Sequence, residues 1–124
     1  MLSIDEFRAI FSAAPDGFVI VRADGSIRAA NRKIEQLFGW TAAELEGQPV
    51  EVLIPEAMGA RHRKHRETFV RNPHDRPMGA GLDLMARRKD GAEFPVEVSL
   101  SPWTAADGDL QVICSVRDVR AVRR

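Results

Sequence analysis

Tyrosine is missing from this sequence, cysteine occurs once and histidine three times among 124 residues. One cysteine excludes an internal disulfide and suits a reducing compartment. The few histidines and the lone cysteine show neither an HExxH pattern nor the spacing of a closed zinc site. No apolar run approaches the roughly 20 residues that a bilayer span requires. The opening "MLSIDEF" has neither the basic nor the apolar stretch of a secretory signal. Neither sign of charge is in excess: 18 basic residues balance 18 acidic ones, so no global field steers the chain to nucleic acid or anionic lipid. The expectation is a cytoplasmic protein with no membrane and no nucleic-acid partner.

What is present is the composition of a folded chain, 44% hydrophobic and 29% charged. At 124 residues it has the size of one domain. Ser3 and Glu6 form a capping box, and Phe7, Ile10, Phe11 and Ala14 follow at helical spacing until Pro15-Asp16-Gly17. "GFVIVR", "ADGS" and "SIRAA" predict a hairpin over 17–30. Asn31 is placed to cap a helix that buries Ile34, Leu37 and Phe38 and stops at Gly39. Thr41 and Glu44 make a second capping box, for a short helix that ends at Gly47. A short helical turn over 49–53 and a longer helix from Pro55 to about Val70 come next. "NPHDRPMGAG" reads as a loop, and residues 82–88, 92–101 and 109–119 as three strands joined by "KDGA" and "TAADGD". In the last strand Leu110, Val112, Cys114 and Val116 alternate with Gln111, Ser115 and Arg117, the pattern of a half-buried antiparallel strand with the second set facing solvent. The order predicts an α+β domain with one antiparallel sheet.

Chemistry concentrates in "ARHRKHRETF", residues 60–69. Met58, His62, His65 and Phe69 fall on one helical face. Two readings stay open, a ligand-binding pair or half-buried structural histidines. Arg61, Arg63, Lys64, Arg66 and Arg71 make a local basic patch, but no stacking aromatics interleave it, as on a solvated helix face. "GAG" at 79–81 precedes a strand rather than a helix, so it is not a phosphate loop. No Ser/His/Asp arrangement carries signature residues, and no enzyme is expected. Trp40 and Trp103 read as structural.

Four stretches together, "FSAAPDGFVIVRADGSIRAANRKIEQLFGW", "ELEGQPVEVLIP", "RRKDGAEFPVEVSLSP" and "VRDVR", resemble the PAS family of sensor domains over nearly the whole chain. The resemblance implies a five-stranded antiparallel sheet with helices on one face around a small pocket. It divides the chain into an N-terminal flanking helix (1–14), the PAS domain (15–120) and the start of a linker (121–124). It also implies a sensing or dimerising module that feeds an output domain such as a histidine kinase or a diguanylate cyclase. The family's terminal Asp-Ile-Thr motif, which relays the signal, reads Asp118-Val119-Arg120 here.

Within the family, haem-binding oxygen sensors hold iron by a histidine on this helix, 17 residues before a loop glycine. His62 and Gly79 reproduce that spacing. The resemblance thus implies haem b held by His62, with Met58, Phe69, Met78, Gly79, Leu82, Val98 and Leu100 around it. Those sensors carry an arginine where this chain has Leu82. Flavin photochemistry needs a helix cysteine that "NRKIEQLFGW" lacks, and Cys114 reads as a small buried hydrophobe. An unknown small apolar ligand is the other pocket occupant. A homodimer through Leu2, Phe7, Ile10 and Phe11 is expected, and the alternative to a ligand sensor is a ligand-free module that serves dimerisation alone.

Overall fold

The computed structural model describes residues 1–77 and 84–120. Five strands form one antiparallel sheet in the order β2-β1-β5-β4-β3. They are β1 (Gly17–Arg22), β2 (Ile27–Ala30), β3 (Leu84–Arg87), β4 (Glu93–Thr104) and β5 (Leu110–Asp118). Helix α1 (Ile4–Ala13) precedes the sheet; α2 (Arg32–Phe38), α3 (Ala42–Leu45) and α4 (Gly59–Arg71) cross between β2 and β3. Two 3-10 turns, Val50–Leu53 and Glu56–Met58, lead into α4. The long helix expected from Pro55 is therefore a 3-10 turn followed by an α-helix. Among the described residues no helix is long and apolar enough to cross a membrane.

The local signals act as their chemistry requires. Ser3 and Glu6 bond each other's backbone amides at the start of α1, and Thr41 and Glu44 do the same for α3. Gly39 closes α2 with φ of 79°, a left-handed conformation that a side chain would oppose. α3 is shorter than expected and gives way at Leu45 to the turn around Gly47.

Register settles which side chains share a face. Val98 lies opposite Val116, Leu100 opposite Cys114, and Cys114 opposite Val19, so all five belong to the inner face. The core forms between that face and the helices: Val19, Val21, Ala86, Phe94, Val96 and Val116 meet Ile34, Leu37, Phe38, Leu45 and Leu53. Phe38 and Phe94 pack ring to ring at 5.2 Å. Cys114 packs against this core, and burial pushes its thiol up to about 12, so it is an inert hydrophobe at neutral pH.

Asn31 does more than cap α2. Its Oδ1 accepts from the amides of Phe18 (2.9 Å) and Ile34 (3.2 Å), and its Nδ2 donates to the carbonyls of Phe11 (2.9 Å) and Asp16 (3.1 Å). Buried and fully satisfied, one side chain joins the end of α1, the start of β1 and the start of α2.

The outer face departs from the simple alternation expected of β5. Gln111 is buried, not solvent-facing, because Arg28 donates to its Oε1 at 2.8 Å and Arg22 and Trp103 flank it on the neighbouring strands. Trp103 itself is exposed, while Trp40 packs against the core with Lys89 over its ring at 5.2 Å. α1 buries none of its residues: Ile4, Phe7 and Ile10 are exposed, as is Leu2 before it. Only Phe11 is half-buried, its ring 6.2 Å from that of Phe18.

Candidate functional site

α4 is a helix without a buried residue. Its sequence explains this: seven of the thirteen side chains in "GARHRKHRETFVR" are Arg, Lys, His or Glu in its central stretch from Arg61 to Glu67, so no apolar stripe can form there. The side turned toward the protein carries His62, Arg66, Phe69 and Val70, all half-buried. His65 is exposed, and so is Met58, which lies in the preceding 3-10 turn rather than in the helix. The face drawn from sequence through Met58, His62, His65 and Phe69 is thus replaced by one through His62 and Arg66. A 3-10 turn advances three residues per revolution instead of 3.6, which takes Met58 out of phase with α4.

What meets that face is a carboxylate. Glu51, in the turn Val50–Leu53, is only 7% exposed. Its Oε2 takes the His62 ring at Nδ1 (2.6 Å) and Arg66 Nε (3.1 Å), and its Oε1 takes Arg66 Nη2 (3.3 Å). Burial works to raise the Glu51 carboxyl, but the hydrogen bonds from Arg66 and His62 outweigh it and hold the group below the usual carboxylate range. Glu51 is therefore ionised at neutral pH and can only accept.

Arg66 reaches this position over the β1–β2 turn. Gly25 there has φ of 89°, and a Cβ on it would sit 2.1 Å from the Arg66 guanidinium carbon. The turn is fastened to the 3-10 segment by the Val50 amide, which donates to the Gly25 carbonyl at 2.9 Å. The β1–β2 turn, the 3-10 turn and α4 thus meet around the Glu51–Arg66 pair.

The remaining expected site residues are spread more widely. Val98 and Leu100 are half-buried on the inner face, Val98 packed against the core. Arg76 exchanges two backbone hydrogen bonds with Leu100, each 2.9 Å, so the chain after α4 lies beside β4. Phe69 is half-buried against the ring of His74, which is exposed and bonded to the Asn72 carbonyl. Met78, Gly79 and Leu82 lie outside the described residues. A groove of about 260 Å³ runs between the turn at Val50–Leu53 and the first turn of α4, lined by Glu51, Val52, Gly59, Ala60, Arg63 and Arg87 among others. It is open and smaller than the roughly 300–1,000 Å³ of an ordinary ligand cavity.

Asp118 is bonded within its own tail. Arg120 donates to it from the backbone (2.9 Å) and from Nε (3.0 Å), and these contacts hold the Asp118 carboxyl below its ordinary range against the opposing effect of burial. The Arg120 guanidinium also lies over the Phe94 ring, 4.8 Å from its centroid. Arg120 thus ties the end of β5 to the core.

Sequence reasoning missed Glu51 and gave Arg66 to solvent. A signal was present: a lone carboxylate between Val50 and Val52 in "PVEVLIP" calls for a cationic or hydrogen-bonding partner if that run is buried.

The PAS fold family model matches residues 5–119. The chain belongs to the PAS family. This PAS domain is 30% identical over 93 residues to the sensor protein FixL of Bradyrhizobium diazoefficiens, covering 75% of this chain and 18% of that protein. It is 24% identical over 102 residues to the oxygen sensor protein DosP of Escherichia coli, covering 82% of this chain and 13% of that protein. The PAS domain thus spans less than a fifth of the length of these curated relatives. Among solved structures, the PAS domain of a protein from Colwellia psychrerythraea superposes with a TM-score of 0.78 at 22% identity, over 96% of this chain and 99% of that one. At that identity the likeness speaks for the fold alone. The fold and the relatives make this a sensory module of the kind found in sensor proteins.

Proposed function

We propose that this PAS domain is a ligand-sensing input module that takes haem b, with His62 as the iron ligand, and relays its state to an output domain. The observation that carries the reading is the His62–Glu51 hydrogen bond. A neutral imidazole bound through Nδ1 keeps Nε2 for a metal, the donor arrangement of carboxylate-supported histidine ligands. The donor set therefore fits haem iron. When bound, haem would supply a redox-active iron able to bind small gas molecules.

This chain's own residues would do the rest. Val98 and Leu100 offer apolar, half-covered surface on the inner face, and Phe69 adds an aromatic ring from α4. The arginine of the oxygen sensors is Leu82 in this sequence, which offers no hydrogen bond from that position. Relay would pass through β5 to Asp118 and Arg120 and on to an output domain such as a histidine kinase or a diguanylate cyclase. The likeness to an oxygen sensor and to a sensor protein supports this assignment.

A second reading is favoured by α1, whose Leu2, Phe7 and Ile10 are exposed. In it the domain is a ligand-free homodimerisation module, Phe11 helps to seat α1, and the histidines are structural. The visible absorption spectrum of the purified protein, before and after adding haem, separates the two. The haem reading expects a Soret band that shifts on reduction, is lost in His62→Ala and stays in His65→Ala. A featureless spectrum that added haem does not change overturns it and leaves an apolar-ligand sensor or the dimerisation module.

A further inference from the structure

We infer that Glu51 is a positioning residue for His62: it holds the imidazole in the tautomer with the proton on Nδ1 and the lone pair on Nε2, and Arg66 holds Glu51 in place to do so. The inference rests on the reading of His62 as a ligand and assigns that ligand its supporting shell.

The chemistry follows from what each group can donate. Glu51 is nearly buried and both its oxygens already accept from the permanently charged Arg66 guanidinium, so the proton in its 2.6 Å contact with His62 belongs to the ring. A neutral imidazole has one proton, and committing it to Nδ1 leaves Nε2 bare. The two ring nitrogens diverge, so Nε2 faces away from Glu51. Turning the ring over would put a carbon against the carboxylate and forfeit a charge-assisted hydrogen bond. The orientation of the ring is therefore fixed together with the tautomer.

Arg66 supplies what Glu51 would otherwise lack. Its Nε and Nη2 take one carboxylate oxygen each, at 3.1 and 3.3 Å, a paired geometry that fixes the carboxylate plane. The guanidinium is itself largely covered, with a side-chain exposure of 15%. Gly25 leaves the room in which it lies. Positions 25, 51, 62 and 66 thus act as one unit, although only His62 would touch a ligand. An ion pair that merely fastens α4 would need none of the tautomer control.

The test is read first on the protein without haem. Long-range proton–nitrogen correlation spectra at mildly alkaline pH report which nitrogen of His62 is protonated. The Nδ1–H form should exceed the Nε2–H form by at least about tenfold, the preference expected of a charge-assisted bond. In Glu51→Gln, which keeps the shape but can present either an acceptor or a donor, that ratio should fall several-fold while circular dichroism stays unchanged. An Nε2–H form in the native protein, or a ratio unmoved in Glu51→Gln, overturns the inference. In haem-loaded protein the iron–histidine stretch should move to lower frequency in Glu51→Gln, because a carboxylate partner strengthens the ring as a donor. A stretch unchanged by the substitution also overturns it. Failure to take up haem would overturn the haem reading alone, and the tautomer ratio would still decide the role of Glu51.

Discussion

α2 and α4 lie in the same stretch between β2 and β3, yet they are held by opposite means. α2, seven residues long, buries Ile34, Leu37 and Phe38 against the inner face of the sheet. α4, thirteen residues long, buries none and is joined to the body through Glu51. Burying three large apolar side chains stabilises by roughly 6 kcal/mol, and the gain scarcely depends on pH or salt. A hydrogen-bonded ion cluster stabilises less and can be undone by a proton, a salt or a competing ligand. The helix with the candidate ligand is thus the one whose attachment can change without unfolding the domain.

Three measurements can break or sharpen that contrast. Phe38→Ala should cost about 4 kcal/mol of global stability in denaturant unfolding, since it opens a cavity against Phe94. A cost under about 1 kcal/mol would mean that α2 is not the anchor described. Glu51→Ala should cost less, about 2 kcal/mol, between the values of fully buried and surface ion pairs because His62 is about a third exposed. Hydrogen exchange should then accelerate in α4 and stay slow in α2. Uniform acceleration in both helices would remove the distinction.

Acid gives the smallest effect. The Glu51 carboxyl titrates lower in the folded chain than in the unfolded one. Its contribution is full above the ordinary carboxylate range and is lost as the pH falls through the depressed value. The stability difference between the native protein and Glu51→Gln should therefore shrink as the pH drops below about 4.5, the ordinary carboxylate value. A difference that is constant down to pH 3 would mean that the carboxylate charge does not hold α4.

The contrast also explains what could be read in the sequence. The signals that specify α2 are local: the cap at Asn31, the stop at Gly39 and three apolar residues at helical spacing fall within nine positions. The hairpins and both capping boxes were legible for the same reason. The environment of α4 is not local. Glu51 and Gly25 come from other segments, the 3-10 turn at Glu56–Met58 breaks the phase by which Met58 was placed on the inner side, and the inward side of α4 follows His62 and Arg66 rather than His65. His62 was legible as a candidate because a spacing marked it, whereas its partner becomes visible only when the chain is folded. Gln111 teaches the same lesson: its cover is Arg28, which lies 83 residues away in the chain.

The neighbouring strands β1 and β5 carry one more consequence. Gly17 lies opposite Val116, and just outside that pair Asp16 bonds Arg117 at 3.1 Å, across 101 residues of sequence. The sheet is entered and left through the same doorway, by neighbouring strands that run in opposite directions. A unit wired in this way can be spliced into a longer polypeptide as a side branch, because the severed ends need to move only the width of one strand pair. Whatever bends that doorway reaches both flanks at once, so α1 on one side and the end of β5 at Asp118 on the other form a single hinge with two leaves.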